Sequence, residues 1–294
     1  MIPGPLGIFY FTTMRFLNLN GKFYPEGSTI ITADSRAFRY GDGLFETMKY
    51  SNGQFVMLQN HLLRLWQGLD LLEFDRPKLF TKQLLRDQLD DLVRKNKDEN
   101  ARIRLTVFRG NGGLYDPENL QPNYIIQSMP LTGAGGLNSN GLELALYKDA
   151  LKTCDLFSNI KHNNYLPYVM GALFAKKNKS NDALIFNQQL RICDSTIANV
   201  FIVKNNEIWT PALSEGCVAG VMRDFLLKQI PELGFSCKPG EITEEMLLDA
   251  DEVFLSNSIY NIRWVASVGS KRYTNEVTRQ IFNELTQTKP EEFC

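Results

Sequence analysis

The chain has 294 residues, 44% of them hydrophobic, and its 32 basic and 33 acidic residues leave a formal net charge of −1. A chain of this length and composition can bury a substantial core and is long enough for two modest domains. The balanced charge, without a long run of one sign, argues against a nucleic-acid-binding protein, and the presence of only His61 and His162 argues against a histidine-based metal site. We therefore expect a protein that acts on a small molecule.

The N-terminal residues 1–13 are apolar but are interrupted by prolines and glycines. They lack the basic region and the small-residue cleavage site of a signal peptide, and the interruptions argue against a membrane span. We interpret them as an extension that precedes Met14. The five cysteines are scattered without C-x-x-C pairs, as expected of reduced thiols. These features predict a cytoplasmic protein without a membrane partner.

Residues 14–131 are predicted to form a small α+β domain. Its predicted elements, in chain order, are a hairpin at 16–24 that turns at Asn20-Gly21, a second hairpin at 44–58, a helix that carries Leu62, Leu65, Leu69 and Leu72, a helix at 79–94, and strands at 102–108 and 124–129. The Asn-Gly pair favours a tight hairpin, the leucines recur at helical spacing, and alternation of apolar and polar residues indicates the strands.

Residues 132–141 are rich in glycine and asparagine and hold few large apolar side chains, so we predict an interdomain linker there. Residues 142–294 are predicted to form a larger second domain. Its predicted elements are a strand at 142–147, a helix at 166–177, a strand at 183–186, a hairpin across Asn205-Asn206, a helix at 221–229, a strand at 253–255 and a final helix at about 275–287.

Lys161 closes a polar loop, in the stretch IKHNNYL at 160–166, just before an amphipathic segment. A lysine held away from water can carry an aldehyde cofactor as a Schiff base, because desolvation lowers the pKa of its amine toward reactivity. Taken alone, such a lysine is far more often a solvated surface charge. Other segments of the chain decide between these interpretations.

Three further segments accompany the lysine: YGDGLFE at 40–46, DSTIANVF at 194–201 and GCVAGVMR at 216–223. Their order and spacing resemble the class IV aminotransferases, the pyridoxal-phosphate enzymes of fold type IV, and the resemblance runs from about Met14 to the last helix. That family includes branched-chain aminotransferases, D-amino acid aminotransferases and 4-amino-4-deoxychorismate lyases. The resemblance implies a two-domain α+β or α/β fold like that of D-amino acid aminotransferases, pyridoxal 5'-phosphate as cofactor, and a homodimer in which residues 40–46 lie in a region shared between subunits.

By this resemblance, Lys161 is the catalytic residue, both anchor of the cofactor and base toward the substrate carbon. Asp194 occupies the place where the family supplies a glutamate to hold the protonated ring nitrogen, and aspartate is one methylene shorter. The alternative for Asp194 is a turn residue.

The resemblance also assigns the other cofactor contacts. Arg64, Val221, Met222 and Ser258 would hold the phosphate, with the helix that begins after Gly220 favouring an anion, Tyr165 would meet the cofactor's phenolic oxygen, and Asn199 would order the loop that bears Asp194. Without the family pattern, the preferred interpretations are an exposed helix residue for Arg64 and a strand terminus for Ser258, and a tyrosine at the start of an apolar helix such as Tyr165 is more often a core residue.

For the amine substrate, the resemblance points to Tyr40, Arg109 and Asn257. The loop RGNGG at 109–113 overlies the substrate in the family, although a plain connection between strands is the alternative. D-amino acid aminotransferases place an arginine and a histidine in this loop, where Leu114 and Asp116 stand here. The sequence therefore argues against that activity.

Several short motifs resemble those of the aminodeoxychorismate lyases, which form p-aminobenzoate and pyruvate. These motifs are IKH at 160–162, the paired glycines after Arg109, GVMR at 220–223, and Asn257. Leu114 departs from this pattern, because the lyases tend to have an arginine there. The alternative is a transaminase for branched-chain or other apolar amino acids, in which Arg39, Arg109 or Arg263 could bind the carboxylate. A third hypothesis is a catalytically inactive dimeric binding protein, supported only by aspartate at position 194.

Overall fold

The computed structural model describes residues 14–133 and 135–293, and it contains two separate β-sheets. The predictions for residues 1–13, for Ala134 in the linker and for the Cys294 thiol lie outside the described residues. The first sheet uses strands that precede residue 131 and the second uses strands that follow residue 141. The domain boundaries themselves stay a prediction.

The first sheet is antiparallel throughout, in the order β2-β1-β6-β5-β3-β4. Its strands are β1 (Phe16–Leu19), β2 (Lys22–Pro25), β3 (Gly43–Ser51), β4 (Gln54–Phe55), β5 (Ala101–Arg109) and β6 (Pro122–Pro130), and the helices of this part are α1 (Arg36–Tyr40), α2 (Leu58–Leu71) and α3 (Lys82–Asn96). The hairpin at Asn20-Gly21 is confirmed, with both residues at positive φ. Leu62, Leu65 and Leu69 of α2 are buried against this sheet, as the helical spacing predicts.

Two boundaries in this part differ by three residues from the sequence prediction. The second strand of the second hairpin ends at Phe55 rather than at 58, because Met57 adopts a left-handed conformation (φ 52°) and α2 begins at Leu58. Helix α3 begins at Lys82 rather than at 79, because the Thr81 hydroxyl accepts a hydrogen bond from the Leu84 amide at 3.0 Å and caps the helix. Helix α1 was not predicted, since five residues are too few for a periodic pattern.

The second sheet is mixed, in the order β12-β11-β10-β13-β14-β7-β8-β9, with β15 paired to β14. Its strands are β7 (Leu142–Lys152), β8 (Asp182–Asn187), β9 (Ile192–Ser195), β10 (Asn199–Lys204), β11 (Glu207–Pro211), β12 (Ser236–Gly240), β13 (Glu252–Asn257), β14 (Asn261–Val268) and β15 (Lys271–Arg272), and its helices are α4 (Leu166–Lys177), α5 (Val221–Glu232), α6 (Glu244–Asp249), α7 (Glu276–Thr288) and α8 (Pro290–Phe293), with a 3-10 turn at Leu213–Glu215. The predicted hairpin at Asn205-Asn206 is confirmed as β10 and β11.

Strands β9, β12, β14 and β15 and helices α6 and α8 were not predicted. Strand β14 lies in the middle of the sheet, between β13 and β7, and the order of pairing depends on long-range contacts that no local pattern specifies. Strand β7 extends five residues beyond its predicted end at 147, to Lys152.

Helix α4 has the predicted bounds but is not amphipathic. Leu166, Val169 and Leu173 are exposed, whereas Tyr168 and Ala175 on the other face are buried. The helix is therefore apolar on both faces. Within the described residues, no helix is long and apolar enough to cross a membrane.

Candidate active site

The loop that carries Lys161 is fastened to the beginning of strand β3. Strand β4 pairs only with the far end of β3, so the edge of β3 near Gly43 is free to accept the loop. There the Phe45 amide donates to the Lys161 carbonyl at 2.9 Å, the Asn163 amide donates to the Gly43 carbonyl at 3.0 Å, and Leu44 forms an antiparallel bridge with His162. These backbone bonds join the second part of the chain to the first sheet and fix the lysine between them.

The Lys161 side chain lies between two aromatic rings. Its Nζ is 4.4 Å from the ring centroid of Phe45 and 5.3 Å from that of Tyr165. Burial lowers the pKa of the Lys161 ammonium from its ordinary value of 10.5 to about 7, and the nearby Arg64 guanidinium acts in the same direction. At a pH near this pKa, a substantial fraction of the amine is neutral and therefore nucleophilic.

Lys161 lines a cavity between the two sheets. Most of the site residues predicted from the sequence share this cavity, namely Arg64, Lys161, Tyr165, Asp194, Asn199, Val221, Met222, Asn257 and Ser258. Tyr40 and Arg109 do not line it. The Tyr40 ring packs against Tyr115 with centroids 5.6 Å apart, and Arg109 Nη1 donates to Asp42 Oδ1 at 2.6 Å.

Asp194 is almost fully buried at the end of β9, in the wall of the cavity. Its Oδ2 accepts hydrogen bonds from the Tyr168 hydroxyl at 2.8 Å and from the Val218 amide at 3.0 Å, and its Oδ1 accepts from Asn199 Nδ2 at 3.0 Å. Lys152 Nζ lies 3.2 Å from Oδ2. Burial raises the pKa of Asp194, and the charge of Lys152 opposes this shift.

Arg64 connects helix α2 with the chain just before α5. Its Nε donates to Glu46 Oε1 at 2.8 Å, and its Nη1 donates to the Ala219 carbonyl at 2.9 Å. His61 Nδ1 lies 2.7 Å from Glu46 Oε2. Although burial would raise the pKa of Glu46, the Arg64 charge and the hydrogen bonds from His61 and Arg64 lower it to about 2. The Glu46 carboxylate thus fixes a guanidinium at the cavity.

Helix α5 begins at this cavity with Gly220 as its N-cap. A Cβ on Gly220 would lie 1.9 Å from Asn199 Oδ1, so only glycine fits there. The first amides of the helix, at Val221 and Met222, have no partners within the helix and favour an anion. With Arg64 nearby, the arrangement can hold a phosphate group.

Two buried hydroxyls in the cavity wall have no hydrogen-bond partner in the part of the chain that the structure describes. They are Tyr165 Oη and Ser256 Oγ. Burying an unsatisfied hydroxyl is costly, so such groups are expected to bond a molecule that fills the cavity. Burial also raises the pKa of Tyr165, which keeps its hydroxyl a proton donor.

Several residues of the site were missed by the sequence analysis. Arg102 and Arg104 project from β5 into the cavity, and Lys152 and Tyr168 contact Asp194. The signal for the two arginines was present, because they alternate with the apolar residues of a predicted strand and therefore share one face. The strand prediction rests on the apolar residues Ile103, Leu105 and Val107 and draws nothing from the arginines between them. Lys152 lies nine residues before Lys161 in a strand segment that was not predicted, and no local pattern indicates its contact.

A family model, amino-transferase class IV, matches residues 43–268. Aminodeoxychorismate lyase from Vibrio harveyi is 31% identical over 246 residues, which are 82% of this chain and 89% of the lyase. D-alanine aminotransferase from Bacillus licheniformis is 26% identical over 85% of this chain and 87% of its own length.

Among solved structures, the branched-chain amino acid aminotransferase from Escherichia coli superimposes with a TM-score of 0.85 at 22% identity, over 96% of each chain. This likeness confirms the fold type IV architecture expected from the sequence. The named relatives span a lyase and two kinds of aminotransferase. The chain belongs to the class IV aminotransferase family, whose members are pyridoxal-phosphate-dependent enzymes.

Proposed function

We propose that this chain is a pyridoxal-phosphate enzyme that converts 4-amino-4-deoxychorismate to p-aminobenzoate and pyruvate. The observation that carries the proposal is the cavity itself. A lysine with a lowered amine pKa faces it together with two arginines that have no carboxylate partner among the described residues. The 31% identity to a lyase of this name supports the choice within the family.

The residues of the cavity fit the cofactor. Arg64 and the first amides of α5 would hold its phosphate, with Ser258 nearby, and Asp194 would face its ring nitrogen. The Tyr165 hydroxyl, which has no hydrogen-bond partner among the described residues, would donate to its phenolic oxygen. The ion pair with Glu46 argues against Arg64 as an exposed helix residue. A buried Tyr165 hydroxyl without a partner in the described part of the chain argues against a plain core role for that residue.

When bound, the cofactor supplies an aldehyde that captures the substrate amine and a ring that accepts electrons. Lys161 would hold the aldehyde and, once released, take the proton from the substrate carbon that bears nitrogen. Its pKa of about 7 matches both tasks, because the amine is neutral enough to act as a base and can then return a proton. The rings of Phe45 and Tyr165 shield the amine from part of the solvent.

The substrate end of the cavity is cationic. Arg104 is half-buried, stacks on the Phe45 ring at 3.7 Å and donates through Nε to Thr106 Oγ1 at 3.3 Å, while Arg102 lies on the same face of β5. Each product, p-aminobenzoate and pyruvate, carries one carboxylate, so the substrate carries two. Guanidinium groups bind carboxylates in a bidentate manner, and a pair of arginines suits such a dianion.

An amino acid transaminase is the second candidate. An apolar amino acid has one carboxylate and needs an apolar side-chain pocket, and Ile197, Ile259 and Met222 provide apolar lining in the same cavity. A catalytically inactive binding protein is the least supported hypothesis, because a binding protein has no need of a desolvated lysine beside an anion site.

The test is to mix cofactor-loaded protein with 4-amino-4-deoxychorismate and, in parallel, with L- and D-amino acids plus 2-keto acids. Release of p-aminobenzoate and pyruvate in equal amounts would support the lyase. Amino-group transfer without turnover of the chorismate derivative would refute the lyase and establish a transaminase.

Arg104→Met should raise KM for the dicarboxylate substrate about tenfold or more, whereas Arg86→Met, on the surface of α3, should not change it.

We also propose that the chain acts as a homodimer. The exposed face of α4 carries Leu166, Val169, Met170 and Leu173, and exposed Leu156 and Phe157 lie in the preceding loop. An apolar face of this kind on a helix is typical of a protein interface. Leu173→Glu should convert a dimer to monomers in analytical ultracentrifugation, whereas Arg86→Glu, on the surface of α3 and outside this apolar face, should leave the dimer intact. An active wild-type monomer would contradict the proposal.

A further inference from the structure

A second lysine contacts the acidic residue of the site from within the protein. Lys152 is the last residue of β7, is 7% exposed, and does not line the cavity, whereas Asp194 does. Its Nζ lies 3.2 Å from Asp194 Oδ2 and 5.3 Å from the centroid of the Tyr168 ring. Burying an ammonium is costly unless it is paired, so the lysine depends on this carboxylate.

The two oxygens of Asp194 have unequal surroundings. Among the residues that the structure describes, Oδ2 receives three donors, from Lys152, the Tyr168 hydroxyl and the Val218 amide. Oδ1 receives one from the same part of the chain, the Asn199 side-chain amide. Since a carboxylate oxygen accepts about two hydrogen bonds, Oδ2 is fully occupied by the protein and Oδ1 retains room for one further donor. The carboxylate is therefore held mainly through Oδ2, and Oδ1 can accept one more hydrogen bond beside that from Asn199.

We propose that Lys152 is a positioning residue that acts through Asp194. The Tyr168 hydroxyl and the Val218 amide hold Oδ2 in the cavity wall and leave Oδ1 to meet the ring nitrogen of the cofactor, while the charge of Lys152 on Oδ2 limits how strongly the carboxylate would retain a proton on that nitrogen. The inference rests on the proposed cofactor site. The Asp194 carboxylate would then pair with two cations, the Lys152 ammonium inside the wall and the protonated ring nitrogen in the cavity.

The physical consequence follows from charge repulsion. A protonated ring nitrogen next to Asp194 would lie within a few ångströms of the Lys152 ammonium, and two like charges so close in a poorly solvated site repel each other. Removing the lysine charge should strengthen the bond between Asp194 and the ring nitrogen. It should leave cofactor contacts that do not involve the nitrogen unchanged.

A pair of ligands isolates this bond. Pyridoxal phosphate and its 1-deaza analogue differ only in the ring nitrogen, which the analogue replaces with a C–H group. The ratio of their dissociation constants, measured by absorbance titration of cofactor-free protein, reports the contribution of the nitrogen. A general loss of stability affects both ligands equally and cancels in the ratio.

In Lys152→Met, the preference for pyridoxal phosphate over the deaza analogue should rise about tenfold or more relative to the wild type. Lys148→Met serves as the matched control, because Lys148 lies on the same strand, is exposed, and pairs with Glu244 away from the cavity. It should leave the ratio unchanged, as should Lys152→Arg, which keeps the charge. If Lys152→Met does not fold, Lys152→Gln removes the same charge.

The same change in an Asp194→Asn background should have no effect on the ratio, because without the carboxylate the ring nitrogen would stay unprotonated and would carry no charge for Lys152 to repel. An unchanged or lowered ratio in Lys152→Met, or an equal rise in the Asp194→Asn background, would overturn the inference and make the ion pair purely structural. Wild-type protein that binds neither ligand would instead refute the proposed function. The two failures are thus distinguishable.

Discussion

The half-buried Lys161 ammonium should destabilise the folded protein, and replacing it with methionine should therefore stabilise the protein. The pKa of Lys161 is about 7 in the folded protein against an ordinary value of 10.5. Between these values the unfolded chain binds more protons than the folded one, so the free energy of unfolding rises with pH in this window. The penalty is complete below about pH 7 and absent above about pH 10.5.

The size of the effect follows from the shift. Each pKa unit corresponds to about 1.4 kcal/mol, so the separation of the two values sets an upper limit of about 5 kcal/mol. The side chain remains partly accessible and water screens its charge, so we expect Lys161→Met to raise the free energy of unfolding by about 1–3 kcal/mol at about pH 6. Methionine conserves most of the side-chain volume between Phe45 and Tyr165.

Urea unfolding of cofactor-free protein at about pH 6 and about pH 10 measures this effect. The gain of Lys161→Met over the wild type should be largest at the lower pH and shrink at the higher one, while Lys148→Met, which removes an exposed lysine, should show no such pH-dependent gain. A Lys161→Met protein that unfolds at the same urea concentration as the wild type at about pH 6 would refute the desolvation of this amine. The proposed catalytic role of Lys161 would then lose its physical basis.

Three further outcomes are expected. Lys161→Ala should abolish product release while some pyridoxal phosphate binding remains, and an active variant would contradict the role given to this lysine. Glu46→Gln should lower the free energy of unfolding by about 3–5 kcal/mol at neutral pH, because it leaves the buried Arg64 charge without its carboxylate. The pKa of Glu46 is lowered from 4.5 to about 2, so the extra stability of the wild type over Glu46→Gln should be present above about pH 4.5 and disappear as the pH falls through about 2. Urea unfolding at a series of pH values measures this difference. Gly220→Ala should weaken pyridoxal phosphate binding about tenfold or more, because its Cβ would lie 1.9 Å from Asn199 Oδ1 and displace the start of α5; unaltered affinity would argue against a phosphate site there.

The sequence alone was sufficient to predict the structural features that depend on residues close together in the chain. The helix that carries Leu62, Leu65 and Leu69 has one apolar face whatever the rest of the chain does, and Asn20-Gly21 forms a turn by its own backbone preferences. The motif around Lys161 was also sufficient to identify the family, because an anchor lysine, an acidic residue and a glycine-led helix occur in a fixed order.

Other features depend on residues far apart in the chain. The position of β14 inside the second sheet, the attachment of the Lys161 loop to β3 and the approach of Lys152 to Asp194 are all long-range contacts. Burial turned an ordinary lysine into an amine with a pKa of about 7, and burial is a property of the packed fold rather than of a motif. Local sequence could thus name the chemical groups, whereas their distances, charges and exposure to water arose only when the two sheets came together around the cavity.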